Sequence, residues 1–342
     1  MAATGSSAAQ RPGLLRRRVL AADRFQRRHT VLGFPVAVTY KFIDDQGVYL
    51  AALVAHYAFI SLFPLLLVAV ALLGFVLQND PSLQERLIST VLQQVPLLND
   101  EIASQIRAFN GSTVGLSIGV LGTLLGGLGV AQAGQNALNV IWGVPRNARP
   151  NPIAARVRSF GLLAVFGTGV LATSVLSLAA GFSRDDLLNA GIVIPLSMVA
   201  NAVLVALLFR FGTAHEVTTL REVLPGAAIA GVVVHLLQLF GVYLLGSSVS
   251  RSSALYGLFG VVLGLITWIT LQAIVVVFCA EINVVLTQRL WPRALLTPFT
   301  DAVELTDADR KAYATYAVAQ THKGFETVEV HFDPPGPPST RG

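Results

Sequence analysis

Charge is scarce in this chain of 342 residues. Only 13% are Asp, Glu, Lys or Arg while 54% are hydrophobic, and a soluble globule of that make-up would lack the polar surface needed to stay in solution. Cysteine is nearly absent. Cys279 stands alone, so no intrachain disulfide and no Cys-based zinc or iron–sulfur cluster can form; within its apolar run it reads as a small packed hydrophobe. The six histidines are scattered, with no pair at metal-binding spacing and no His-Glu-x-x-His. A Gly-x-x-x-x-Gly-Lys-Ser/Thr loop is also missing, which leaves an ATP-driven pump without its phosphate cradle. No cofactor and no metal are expected. Lysine occurs three times against 21 arginines, which together with abundant Ala and Gly suggests a GC-rich bacterial genome.

What is present is six long apolar runs, at about 51–77, 112–141, 159–182, 189–211, 223–246 and 255–287. Each has the ~20 residues that cross a bilayer as a helix. The fold class expected is therefore all-α: a polytopic membrane protein with six transmembrane helices. Basic residues stay on the cytoplasmic side during insertion, and the segments flanking the runs alternate in charge. Those before the first run and after every even one carry 20 Lys and Arg; the others carry four. Both termini are thus expected in the cytoplasm of a bacterium, with the protein in the inner membrane. The net charge of +5 is explained by this topology signal without nucleic acid. Polar sequence precedes the first long run, so the first span rather than a cleavable signal peptide is expected to do the targeting.

Composition divides the chain into a disordered basic cytoplasmic arm at 1–35, a six-helix transmembrane domain at 36–290, and a short, partly disordered cytoplasmic tail at 291–342. Residues 36–50 suit a short interfacial helix, with Gly47 available for the turn into the membrane. The 78–111 loop has apolar residues at helical steps (Leu83, Leu87, Val91, Val95, then Ile102, Ile106, Phe109), with Pro96 between the sets. This predicts an extracytoplasmic helical hairpin between spans one and two. In the tail, Thr306 followed by Asp307 and Asp309 predicts a helix start, and the ETVEVHF run at 326–332 is strand-like.

The second span carries a stripe of small residues. Gly115, Gly119, Gly122, Gly126 and Gly129 recur at steps of three and four, a face that lets another backbone approach closely. Beside it Gln132, Gln135, Asn136 and Asn139 share a face; four amides there either line a polar cavity or bond neighbouring helices. In the first span His56, Tyr57 and Ser61 cluster near Pro64, which removes a backbone hydrogen bond and should kink the helix. His235 has Gln238 close by, consistent with local hydrogen bonding or with proton transfer. Glu281 either reaches the interface, pairing there with a basic residue, or lines a cavity. Asn201 reads as a helix-bonding amide.

Several segments together resemble one family. AHYAFISLFPLLLVAVALLG, GQNALNVIWGVPRN, LREVLPGAAIAGVVVHLLQLFGVYLL, SALYGLFGVVLGLITWI and CAEINVV are similar, in order, to elements of the YihY/BrkB membrane proteins over about 35–290. The matching positions are Tyr57, Ser61, Phe63, Pro64, Asn139, Trp142, Gly143, Pro225, Gly226, Tyr256, Gly257, Glu281 and Asn283. The chain departs from the pattern at His56, where a tyrosine is usual, and at Cys279, where glycine is frequent. The resemblance implies a six-span inner-membrane protein. It also brings an old ribonuclease BN label, which the residues do not support, so neither an enzyme nor a nucleic-acid partner is expected.

Two functions fit these residues. One is a transporter or flippase-like handler of a lipid or amphipathic envelope substrate, with a cavity among spans one, two, five and six lined by His56, Tyr57, Ser61, the four amides, His235, Gln238 and Glu281. The alternative is a non-transporting membrane scaffold that binds envelope proteins through 78–111 or the tail. Membrane lipids are partners in either case.

Overall fold

The computed structural model describes residues 14–76, 113–182, 191–192, 194–214, 218–300 and 303–333. Among them the regular elements are all helical: α1 (Leu14–Arg28), α2 (Thr30–Asp44), α3 (Gly47–Val76), α4 (Thr113–Ile141), α5 (Pro152–Phe182), α6 (Ile194–Gly212), α7 (Leu220–Gln288) and α8 (Asp307–Ala319), with a 3-10 turn at Arg146–Ala148. The expected 78–111 hairpin lies outside the described residues. Among the described residues four stretches are long and apolar enough to cross a membrane, namely Ser117–Ile141, Ile194–Gly212, Leu220–Gln238 and Val262–Gln288; Gly47–Leu62 is a shorter apolar helix.

The chain forms two compact units whose boundaries differ from those expected. One comprises 42–144 and 148–283; the other joins 1–41, 145–147 and 284–342. In the first, here the bundle unit, α4 packs most extensively on α3 and also contacts α5 and α6, while α5 and α6 contact each other. The α7 run folds back on itself. The Gly226 N–H donates to Asn283 Oδ1 at 2.7 Å across 57 residues of sequence, a separation that a straight helix would stretch to about 85 Å. The limbs 220–238 and 262–283 therefore run side by side. A Cβ on Gly226 would strike the Cys279 carbonyl, and one on Gly231 would lie 2.7 Å from the Met198 carbonyl of α6, so both glycines permit close backbone contact.

The end of α4 explains the Asn-x-x-Trp-Gly segment. Gly143 has φ 64°; its N–H donates to Val140 O at 2.9 Å and the Val144 N–H donates to Asn139 O at 2.9 Å. This pair of bonds satisfies carbonyls that the last turn leaves open, and glycine takes the left-handed position without a Cβ clash. Into α3 the assignment is different. Gln46, not Gly47, takes positive φ, at 56°, and Gly47 instead leaves room for the Phe42 ring.

Over 14–35, where a disordered arm is expected, the described chain is helical, and 1–13 lie outside the described residues. Residues 14–28 form α1, rich in Leu, Arg and Ala, which favour helix, with Arg27 and Arg28 in the last turn where the helix end is negative. Composition hid this helix because its described buried side chains are polar. Asp23 and Gln26 are buried; Asp23 Oδ1 accepts from the Leu295 N–H at 2.8 Å and Gln26 Nε2 donates to Arg293 O at 2.5 Å. Tyr40 donates to Leu295 O at 2.8 Å. Phe34 of α2 meets Trp291 edge to face at 5.6 Å.

Asp309 is the centre of this unit. It caps α8 with Thr306 in a reciprocal pair of bonds, accepts from the Ala294 N–H at 3.0 Å, and pairs with Arg293, both side chains being fully buried. The Arg293 guanidinium also stands 5.5 Å from the Tyr313 ring centre. The 326–332 run is not a strand. It has no neighbouring strand among the described residues, and Glu326 turns back to accept from the His322 and Lys323 N–H groups at 2.7 and 3.3 Å, bonds that hold its carboxyl below the usual range. Asp309→Ala would leave Arg293 buried without its carboxylate, and we expect a loss of about 3–5 kcal/mol from the terminal unit. Hydrogen exchange over α1 and α8 checks this; unchanged protection would show that the ion pair contributes little.

Candidate functional site

The glycine face of α4 receives α3 in antiparallel order. A Cβ on Gly119 would stand 3.0 Å from Val68; on Gly122, 2.8 Å from Pro64; on Gly126, 2.8 Å from the Ser61 Cα; and on Gly129 it would strike the Tyr57 ring. Tyr57, Ser61, Pro64 and Val68 recur at four, three and four, and the glycines that meet them in reverse order recur at three, four and three, so both sets form one helical face. Tyr57 and Ser61 thus face the glycines. The Ser61 hydroxyl donates to its own helix, at Ala58 O, 2.9 Å. His56 is exposed and meets Tyr57 edge-on at 5.7 Å. Gly115 lies on the same helix, one turn beyond Gly119.

The four amides of α4 divide by role. Gln135 Nε2 donates to Ser159 Oγ of α5 at 2.8 Å, and Asn139 Oδ1 accepts from the Ala214 N–H at 3.0 Å; both are buried. Asn136 and Gln132 are exposed, and Asn136 Oδ1 accepts from Arg149 at 3.3 Å. Around the end of α6, Arg158 of α5 donates to Thr213 O at 2.5 Å. Asn139 and Arg158 together therefore bind the chain just past α6, a role for Ser159, Arg158 and Thr213 that sequence reading missed. The basic residue near the membrane gave a signal, but its partner is a carbonyl and carries no mark in sequence.

In α7 the polar residues stand apart from α3. Glu281 and Asn283 are completely buried, the latter through its bond to Gly226. Both ring nitrogens of His235 and Oε1 of Gln272 are enclosed with no hydrogen-bond partner among the described residues. Nine residues along each limb from the contact of Gly226 with Cys279 and Asn283, His235 is level with the turn carrying Gln272. Gln238 is exposed and makes no described bond to His235. Thr123 Oγ1 of α4 is likewise enclosed and unpartnered. Two clefts, of about 260 and 610 Å³, lie in the terminal unit. Among the described residues no three of His, Cys, Asp and Glu gather as metal ligands would.

The family model described as virulence factor BrkB matches residues 38–299. The chain belongs to the BrkB family. Its match covers the bundle unit from before α3 to the Arg293 segment and stops short of α8. Comparison with curated proteins and with solved structures gives no match. Family membership and the apolar helices together make this BrkB-family chain a membrane protein.

The glycine contacts lead to a graded test. Gly126→Leu meets backbone and Gly122→Leu meets a proline ring, so neither neighbour can give way cheaply; each should cost about 1–3 kcal/mol or prevent assembly. Gly134, whose Cβ would meet nothing within 4 Å, is the control, and Gly134→Ala should unfold in detergent at the wild-type temperature. Equal melting of Gly122→Leu, Gly126→Leu and the control would show that α3 does not rest on this face.

Proposed function

We propose that this BrkB-family protein crosses the bacterial inner membrane six times with both termini in the cytoplasm, and moves a lipid or other amphipathic envelope substrate without covalent chemistry. The observation that carries the transport reading is the enclosed polar atoms of His235 and Gln272, one on each limb of α7, which meet no hydrogen-bond partner among the described residues. An unmet buried donor or acceptor costs about 1–3 kcal/mol, and such groups persist where water or a passing polar group meets them. A lipid headgroup needs such a path through an otherwise apolar helix pair. Glu281, completely buried, extends it towards the end of α7.

The topology has separate support. Asp23 and Gln26 near one end of the chain bond to Leu295 and Arg293 near the other, which supports an even number of crossings between them. Six is the even number that the apolar runs and the charge alternation favour. Single cysteines placed at 82–108 in a Cys279→Ser background should react with an impermeant reagent only from outside; reaction only from the cytoplasm would overturn the arrangement.

A scaffold role is the second reading, favoured by Gln135 and Asn139 being used up in helix–helix bonds and by the clefts of the terminal unit. Reconstitution separates the two. We expect the wild-type protein to move fluorescent lipids in liposomes, and Glu281→Gln to insert and melt normally yet slow that movement about tenfold, which corresponds to 1.4 kcal/mol of barrier. No movement by the well-folded wild-type protein would favour the scaffold; normal movement by the variant would remove Glu281 from the path.

A further inference from the structure

Among the described side chains of α1 the buried ones are Asp23 and Gln26, whereas Phe25 is 55% exposed; at the start of α2, Val31 is 84% and Leu32 48% exposed. His29 joins these residues into one patch, its ring 4.3 Å from that of Phe25 and its carbonyl accepting from the Leu32 N–H at 3.0 Å. Arg24 and Arg28 flank the patch and are exposed too, while Arg27 points away into a 2.7 Å pair with Asp23. A water-facing surface would be expected to have the opposite arrangement, with Phe25 inward and the amide outward.

The position of the patch identifies what covers it. Phe34, two residues beyond Leu32, touches Trp291, and Trp291 is three residues past Gln288, where the apolar stretch Val262–Gln288 ends. Tryptophan at such a point marks the membrane–water boundary. Apolar side chains bordered by arginines at that level match the chemistry of an interfacial helix on anionic lipid. A second copy of the chain docking through the same patch about a two-fold axis would bring its own Arg24 and Arg28 towards these, like against like.

We propose that Phe25, Val31 and Leu32 insert into the headgroup region of an anionic lipid surface, with Arg24 and Arg28 meeting the phosphates. The terminal unit is then a lipid-composition reader attached to the end of the last apolar stretch. This depends on membrane residence and not on the transport reading, so failure of the liposome assay leaves it standing.

The test uses the full chain in nanodiscs, which expose both membrane faces. In a Cys279→Ser background, Leu32→Cys carries an environment-sensitive NBD dye, and Phe325→Cys, at a 90% exposed site far along the tail, is the labelled control. With phosphatidylglycerol present, the dye at 32 should emit to the blue and be quenched by brominated lipid at least about twofold more than in phosphatidylcholine alone, while the dye at 325 stays water-like. Adding Arg24→Gln and Arg28→Gln should erase the difference between the lipids without changing the melting temperature. Three outcomes overturn the proposal: water-like emission at 32 in both lipids, equal quenching in both, or blue emission that brominated lipid cannot quench, which would mean that protein covers the patch. If the double arginine variant unfolds, Arg28→Gln alone replaces it, and an undiminished preference for phosphatidylglycerol would then overturn the role of the arginines.

Discussion

Backbone meets backbone where α3 crosses α4, and the bundle unit is arranged around that approach. Between helices in lipid there is no hydrophobic effect to draw them together, so association relies on close packing and on polar bonds. A Cβ at Gly126 would already collide with the Ser61 backbone, which means that the contact tolerates nothing larger than hydrogen at its middle. Because α4 also packs on α5 and α6, any displacement of α3 would be felt by the helix that holds the other two in place. The exposure of Tyr57 and the seat of Pro64 follow from the same contact.

Polar atoms in the bundle unit fall into two groups. Those at the base of α4, α5 and α6 are spent on structure: Arg158 and Asn139 take up a carbonyl and an N–H just past α6, in a place where helix ends leave backbone groups open. His235 and Gln272 in the limbs of α7 are enclosed without such partners among the described residues. Backbone groups inside a membrane must be met within the protein, and side chains are subject to nearly the same cost.

Much of the bundle could be read from sequence because its signals are local. The apolar runs give helices, the period of the glycines gives a face, and Thr306 with Asp309 gives the start of α8. Three features could not be read in this way. The fold-back of α7 depends on an asparagine meeting an N–H 57 residues away. The roles of Gln135 and Gln132 differ only in which neighbour each meets, although they are one turn apart on the same helix. The arm looked disordered because the helical face that Leu15 and Val19 begin continues in Asp23 and Gln26, which cuts its apolar period short.

The joining of α1 to the 291–295 segment also imposes a delay on synthesis. The carboxylate of Asp23 and the N–H that it meets are 272 residues apart, and at typical bacterial translation rates about 15–50 s pass before the second is made. During that interval α1 lacks the partners of its polar face, and Phe25 shares the surroundings of the nascent chain. A polypeptide that stops before Leu295 never acquires those bonds. The free arm therefore distinguishes an unfinished chain from one that has reached Leu295.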